Sequence, residues 1–383
     1  MMNRYPVSGT VAPGFERVRA AFASNFEKRH EVGAAVHVTL DGETVVDLWG
    51  GAADAAKTRP WKPDTLVNVW STTKGWLALA MHMLVERGLL DLDAPVSRYW
   101  PEFGREGKGC VLVRHLLAHT AGLPGCTMKV PDEAIYDWNA MTANLANSTL
   151  LWEPGTKCGY HAGSFGWLNG EVLRRITGVS VGEFVRTCIA GPLKADIFIG
   201  LSPDEIARAA DIIPPSLFGA AIFRLGLAMG GTAKRLAFTN PPRPAKTASS
   251  RRWREAQIPS SNGHASARGL ARFYTPLALG GAVQGLRLLS ETNVARASAE
   301  CVNEKDIVAG FPVRRSLGFM LADPARGDPR PATAFGHPGL GGSVGFADPS
   351  HRLAFGYVMN RMIIGIDMRA PALCRAVYAC LNR

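Results

Sequence analysis

The sequence predicts an α/β fold of the α+β type: one antiparallel sheet flanked by helices, with a helical region inserted between its two halves. Three observations predict it. Strand-plus-helix patterns occupy both chain ends, the long middle is mainly helical, and an Asp41-Gly42 pair joins two β-rich runs near the start. At 383 residues, 47% hydrophobic and 20% charged, the chain is long enough for a large core and two or three domain-sized units.

The elements follow in order. Phe15, Val18, Phe22 and Phe26 form one apolar stripe, so residues 13–29 read as an amphipathic helix. Residues 34–40 and 43–49 read as strands of a hairpin, because Asp-Gly suits a tight turn with two left-handed residues. Residues 316–321, 343–347 and 352–359 read as strands, and 370–381 as a closing amphipathic helix. The expected division is therefore a sheet domain from 1–74 and 301–383, and a helical domain over 75–300. No internal repeat interrupts it.

A segment near 203–260 stands apart. It combines Pro-rich turns, an apolar patch at 217–229 and a basic run of Lys234, Arg235, Arg243, Lys246, Arg251, Arg252 and Arg254. A stretch this long with little regular pattern reads as a lid or a disordered loop. The basic run carries part of the net charge of +11 and reads as mobile and solvated. No zinc-finger, homeodomain or RNA-binding signature accompanies it, so no nucleic-acid partner is expected.

The seven cysteines are scattered, without a C-x-x-C pair, which fits a reducing compartment rather than a disulfide framework or structural zinc. The start lacks the apolar core of a signal peptide, and the apolar run 212–233 is broken by Pro214, Pro215 and Arg224. A cytoplasmic protein without a membrane span is expected; the oligomeric state is left open.

Ser71-Thr72-Thr73-Lys74 opens the most apolar stretch of the chain, from Trp76 to Val85, closed by Gly88. A serine at a helix start meets free backbone N–H groups, and a lysine three residues on returns to the same face. Half-burial lowers the ammonium's pKa and makes proton exchange with a hydroxyl feasible, which suits a nucleophile that forms an acyl-enzyme. The plainer reading is an N-cap serine beside a snorkelling lysine.

Tyr160, on the turn-rich stretch after Glu153-Pro154-Gly155 and before a helical run at 165–176, is the candidate second proton relay, held as a phenolate or sharing its proton near a lysine. Taken alone it reads more readily as a core tyrosine with its hydroxyl hydrogen-bonded. The run Gly336-His337-Pro338-Gly339-Leu340-Gly341-Gly342-Ser343-Val344-Gly345 borders a strand, where glycines let backbone approach a ligand closely. It contains a G-x-S-x-G match at Ser343, but a turn and a strand follow rather than a helix, so Ser343 reads as a decoy. His115 and His119 lack the intervening glutamate of a zinc helix, and no P-loop or dinucleotide fingerprint occurs; no cofactor or metal is expected.

Taken in order, Ser71-Thr72-Thr73-Lys74, the segment Leu116–Leu123, Tyr160, Pro259-Ser260-Ser261-Asn262-Gly263 and His337-Pro338-Gly339 resemble the serine β-lactamase and penicillin-binding-protein superfamily. More narrowly they resemble the family VIII carboxylesterases, relatives of class C β-lactamases, over roughly residues 15–380. The resemblance implies that Ser71 is acylated, that Lys74 and Tyr160 share the base role, and that the amides of Ser71 and Leu340 form the oxyanion hole. It places His337 and Gly339 in the substrate-binding box. Two departures matter. The Tyr-x-Asn pattern is Tyr160-His161-Ala162, and the Lys-Thr-Gly box is His337-Pro338-Gly339. Both remove groups that hold a β-lactam, so small carboxylic esters are the expected substrates. A β-lactamase, amide hydrolase or acyltransferase is the alternative, and a catalytically silent binding protein a third. An arginine from the basic lid can restore the missing positive charge.

Overall fold

A computed structural model describes residues 7–381. Nine strands form one antiparallel sheet in the spatial order Ser8–Val11, Glu43–Gly51, Gly33–Leu40, Leu353–Met359, Val344–Asp348, Phe335–Pro338, Met320–Leu321, Pro312–Arg315 and Val302–Lys305. The two chain ends meet at the third and fourth of these, registered from Leu40 opposite Leu353 to Ala34 opposite Met359. Asp41 and Gly42 take φ of 52° and 87°, as a two-residue hairpin turn requires.

Side-chain alternation assigns the two faces. Ala34, Val36 and Val38 join Phe346, Phe355 and Tyr357 in a core covered by the terminal helices Glu16–Lys28 and Arg369–Leu381 through Val18, Phe22, Leu373 and Val377. Ala35 points the other way, into the larger core. On that face lies the helix Ala267–Ala278, which falls within 75–300 yet packs directly on the sheet. Its close approach depends on glycines: a Cβ on Gly356 would sit 2.6 Å from the Ala267 carbonyl oxygen, and one on Gly345 2.5 Å from the Tyr274 ring.

The apolar stretch after Ser71 forms the helix Lys74–Glu86, buried from Lys74 through Leu84 and stopped by Gly88 at φ 68°. It packs against Ser164–Thr177. A small sheet of Val67–Asn68, Gly263–Ala265 and Ile197–Ile199 braces the segment that leads into Ser71.

Two expectations change. Residues 316–321 are not one strand: Gly318, at φ 98°, turns the chain between Pro312–Arg315 and Met320–Leu321, with the Ser316 amide donating to the Phe319 carbonyl. Residues 203–260 are more ordered than a lid without pattern, since they contain the helices Pro203–Ala207, Leu217–Ala228, Thr232–Thr239 and Arg251–Glu255. Ser202, Ser216 and Ser250 each cap one of these with a side-chain oxygen.

Candidate active site

Ser71 lies in a single 3-10 turn, Trp70–Thr73, that runs straight into the helix beginning at Lys74. Trp70, just before it, is held in a left-handed conformation at φ 49° with its side chain buried. Ser71 caps no backbone amide of that helix. The strained turn is held from both sides. The Val69 amide donates to the Gly263 carbonyl, the Gly263 amide donates to Thr73 Oγ1, and Ser343 Oγ donates to the Val69 carbonyl.

Lys74 is fully buried, not half-buried as the sequence suggested. Its Nζ lies 3.1 Å from Ser71 Oγ and 3.0 Å from each of the carbonyl oxygens of Ala162 and Ser260. Among the described residues no carboxylate pairs with it. Desolvation, with the positive charges of Arg243 and Arg315, holds its pKa well below the usual lysine value. The geometry fits a neutral amine: two N–H groups donate to the two carbonyls, and the lone pair is left for the Ser71 hydroxyl proton.

Tyr160 is half-buried and hydrogen-bonded to Ser71. Lys74 Nζ lies 4.9 Å from its ring centroid, Arg315 Cζ 5.1 Å, the His119 ring 5.0 Å and the His337 ring 6.1 Å. Desolvation pushes its phenol up to about 12, only partly opposed by the Ser71 bond, so Tyr160 is protonated at neutral pH rather than held as a phenolate. Its backbone is fixed by Asp306, which accepts from the Tyr160 amide at 3.1 Å and pairs with Arg315 at 2.5 Å in a fully buried ion pair.

His337 sits on the strand Phe335–Pro338, which borders the turn that carries Ser71. Its Nδ1 lies 2.7 Å from the Pro338 carbonyl oxygen. The carbonyl can only accept, so Nδ1 carries the proton and Nε2, buried and without a protein partner, presents a lone pair. Desolvation by burial keeps the imidazole neutral. Gly339 runs against the segment that leads into Ser71 so closely that a Cβ would fall 2.2 Å from the Val69 carbonyl and 2.1 Å from Ser343 Oγ. The loop is tied down by Arg369, which donates to the Gly341 carbonyl at 2.8 Å and to Glu31 at 2.8 Å.

Ser343 is buried and spent on the Val69 carbonyl, which is a structural task. His119 is enclosed by the rings of Tyr160, His161 and Phe165, and its Nδ1 accepts from the His161 amide. Ala162 closes a small apolar cluster with Ala237 and Val308. The described residues contain no group of three or more His, Cys, Asp and Glu able to hold a metal.

The site has the geometry of a serine nucleophile with a buried lysine and a tyrosine, carried on an antiparallel sheet with helices on both faces. A family model for beta-lactamases matches residues 18–371. The chain belongs to the beta-lactamase family. Within that family it is 37% identical to the Esterase/beta-lactamase LipL of Mycobacterium tuberculosis, over 98% of this chain and 88% of that protein. It matches the crystal structure of a family VIII carboxylesterase at 42% identity with a TM-score of 0.91, over 98% of this chain and all of that one, 100%. A penicillin-binding-protein homologue from Caulobacter crescentus matches at 37% identity, TM-score 0.90, over 98% and 100% of the two chains.

Sequence reasoning missed three contributors. The carbonyls of Ala162 and Ser260 carry no side-chain signal, and the Asp306–Arg315 pair joins the residue after Val302–Lys305 to the end of Pro312–Arg315, two strands too short to stand out. Arg243 belongs to the basic run read as solvated. Instead its guanidinium lies against Gly163, where a Cβ would be 2.2 Å from Nη1, and it donates to the carbonyls of Ala237 and Pro241. The sign of a basic lid was legible; which of its arginines turned inward was not.

Proposed function

We propose that this beta-lactamase-family chain is a serine carboxylesterase working through an acyl-enzyme on Ser71. The observation that carries the proposal is the placement of a counter-ion-free Lys74 amine 3.1 Å from Ser71 Oγ. Lys74 takes the Ser71 proton as Oγ attacks the ester carbonyl. The developing oxyanion faces the amides of Ser71 and Leu340. Tyr160, protonated at rest, gives its proton to the departing alkoxide, and the resulting phenolate is stabilised by the Lys74 ammonium. In deacylation Tyr160 takes a proton from water, hydroxide attacks the acyl carbon, and Ser71 leaves with the proton from Lys74. The sum is ester plus water giving acid plus alcohol, and both groups return to their starting states.

Esters are favoured over β-lactams because the box supplies a neutral His337 where a lysine would anchor a carboxylate, and Ala162 supplies only a methyl where an amide would bind. Arg243 supports the lactam or acyltransfer reading as the alternative, since it is a cation close enough to act on both Lys74 and Tyr160. The seven free cysteines fit a cytoplasmic setting, and no helix among the described residues is long and apolar enough to cross a membrane. The deciding experiment compares kcat/KM for p-nitrophenyl butyrate and a chromogenic cephalosporin on one preparation. The ester is expected to be preferred by at least about 100-fold, given two lost charge-assisted or polar anchors. Equal constants would put the lactam reading first.

A further inference from the structure

The helix Leu217–Ala228 is apolar on both sides. Its inner side, through Phe223, meets Phe238 edge-on with ring centroids 5.8 Å apart. Phe238 in turn packs on the Ala162, Ala237 and Val308 cluster that Tyr160 also covers. Through Phe238 the helix is therefore joined to the side of the site that Tyr160 covers. Its outer side is open to solvent: Leu217 is 92% exposed, Phe218 77%, Leu225 59% and Met229 79%. At 100° per residue these four and Ile222 fall within one arc of about 140°, a single continuous face. Ile366, 89% exposed, extends it, because its neighbour Ile364 lies against Gly219.

The surroundings of this face are cationic. Of the eight Lys and Arg from 212 to 254, Arg243 turns inward and Arg251, Arg252 and Arg254 pair with Glu255, Glu133 and Asp211, which leaves Arg224, Lys234, Arg235 and Lys246 without a carboxylate partner among the described residues. Arg224 projects from the helix itself, while Lys234 and Arg235 close around Gly230 just beyond its end. None of these three pairs with a carboxylate among the described residues. An apolar face of this size framed by unpaired cations matches a helix lying in the plane of an anionic lipid surface. Twelve residues are too few to span a bilayer. A second copy of the chain fits less well, since a two-fold contact would set the same cations against each other.

We infer that Leu217–Ala228 docks the enzyme on anionic lipid surfaces and admits esters dispersed in them to Ser71. The inference rests on the proposed esterase reading only for the identity of the substrate; the docking is measured without turnover. The experiment is co-sedimentation of the full chain with vesicles of phosphatidylcholine alone and with 30% phosphatidylglycerol, about 30% being a composition that gives a clear surface potential. Tighter binding to the anionic vesicles is expected, falling at least about tenfold in Phe218→Asp/Leu225→Asp and about fivefold for each of Arg224→Gln and Lys234→Gln. All four positions lie outside the catalytic residues, so hydrolysis of soluble p-nitrophenyl acetate should be unchanged, which reports both folding and the esterase reading. Hydrolysis of an ester embedded in the anionic vesicles should fall with binding. Equal, weak sedimentation with both vesicle types overturns the docking inference. So does a wild-type dimer that the double variant converts to monomer with vesicle binding unaltered, since that outcome assigns the face to a second copy. Loss of soluble-ester hydrolysis in the wild type overturns the esterase reading alone.

Discussion

Lys74 Nζ lies 3.1 Å from Ser71 Oγ with its two remaining contacts on carbonyl oxygens and none on a carboxylate. A buried lysine with a carboxylate partner stays charged and is a poor base. This one is desolvated, faces Arg243 and Arg315, and is held toward the neutral form.

The first prediction concerns pH. Lys74 must be unprotonated to act, so kcat/KM falls as pH drops through its lowered pKa. Removing the Arg243 charge makes protonation easier and raises that pKa. The acid limb in Arg243→Ala should therefore move to higher pH, while Arg243→Lys should leave it near the wild-type position. Tyr160 ionises only near about 12, so no alkaline limb from it should appear within an ordinary pH profile. A limb that shifts downward in Arg243→Ala would mean that Arg243 does not act on Lys74.

The second concerns the relay. Lys74→Ala and Tyr160→Phe should each lower kcat by about 10²–10⁴-fold, the range for losing a general acid–base group. Because the Lys74 ammonium stabilises the phenolate that Tyr160 leaves, the two work as one unit, and the double variant should lose little more than the worse single variant. Fully multiplicative losses in single-turnover measurements would show that the two act separately.

The third concerns the support under Tyr160. Asp306→Asn leaves Arg315 as an unpaired buried charge and should cost about 3–5 kcal/mol of stability. Chemical denaturation gives the number. A cost below about 1 kcal/mol, the level of an exposed pair, would show that the Asp306–Arg315 pair is not held in the dry environment described.

The fourth concerns acid stability. His82 and His161 are buried and their pKa values are lowered by desolvation from 6.5 to about 4 each. The unfolded chain takes up protons at these sites below pH 6.5 while the folded chain does not. Their contribution to stability is thus intact above that pH and is lost progressively as pH falls toward 4, at about 1.4 kcal/mol per pH unit for each group. Unfolding free energies measured at closely spaced pH values should show this slope lessened in His82→Gln.

What the sequence made legible followed from local chemistry. The Asp41-Gly42 hairpin, the two terminal amphipathic helices and the Gly88 stop each have a short-range cause, and all appear as expected. The order of Ser71, Lys74, Tyr160 and His337 along the chain was enough to indicate one site, and the fold brings them together. The misses have long-range causes. Gly318 reads as strand until the partner strands show it turning, and Val302–Lys305 is a polar edge strand defined only by its pairing. The protonation state of Tyr160 depends on desolvation by His119, His337 and neighbouring groups distant in sequence. The order in residues 203–260 comes from packing on partners distant in sequence, Ile206 on Leu66, Phe238 on the Ala162 and Val308 cluster and Trp253 on Trp70.

The most direct test of the account is to find the serine that becomes covalently modified. The chain is treated with a fluorophosphonate, digested, and the adduct mapped by mass spectrometry. A single adduct on Ser71, absent in Ser71→Ala and strongly slowed in Lys74→Ala, is the predicted result. An adduct on Ser343, or labelling of Ser71 that proceeds at the wild-type rate without Lys74, would contradict it.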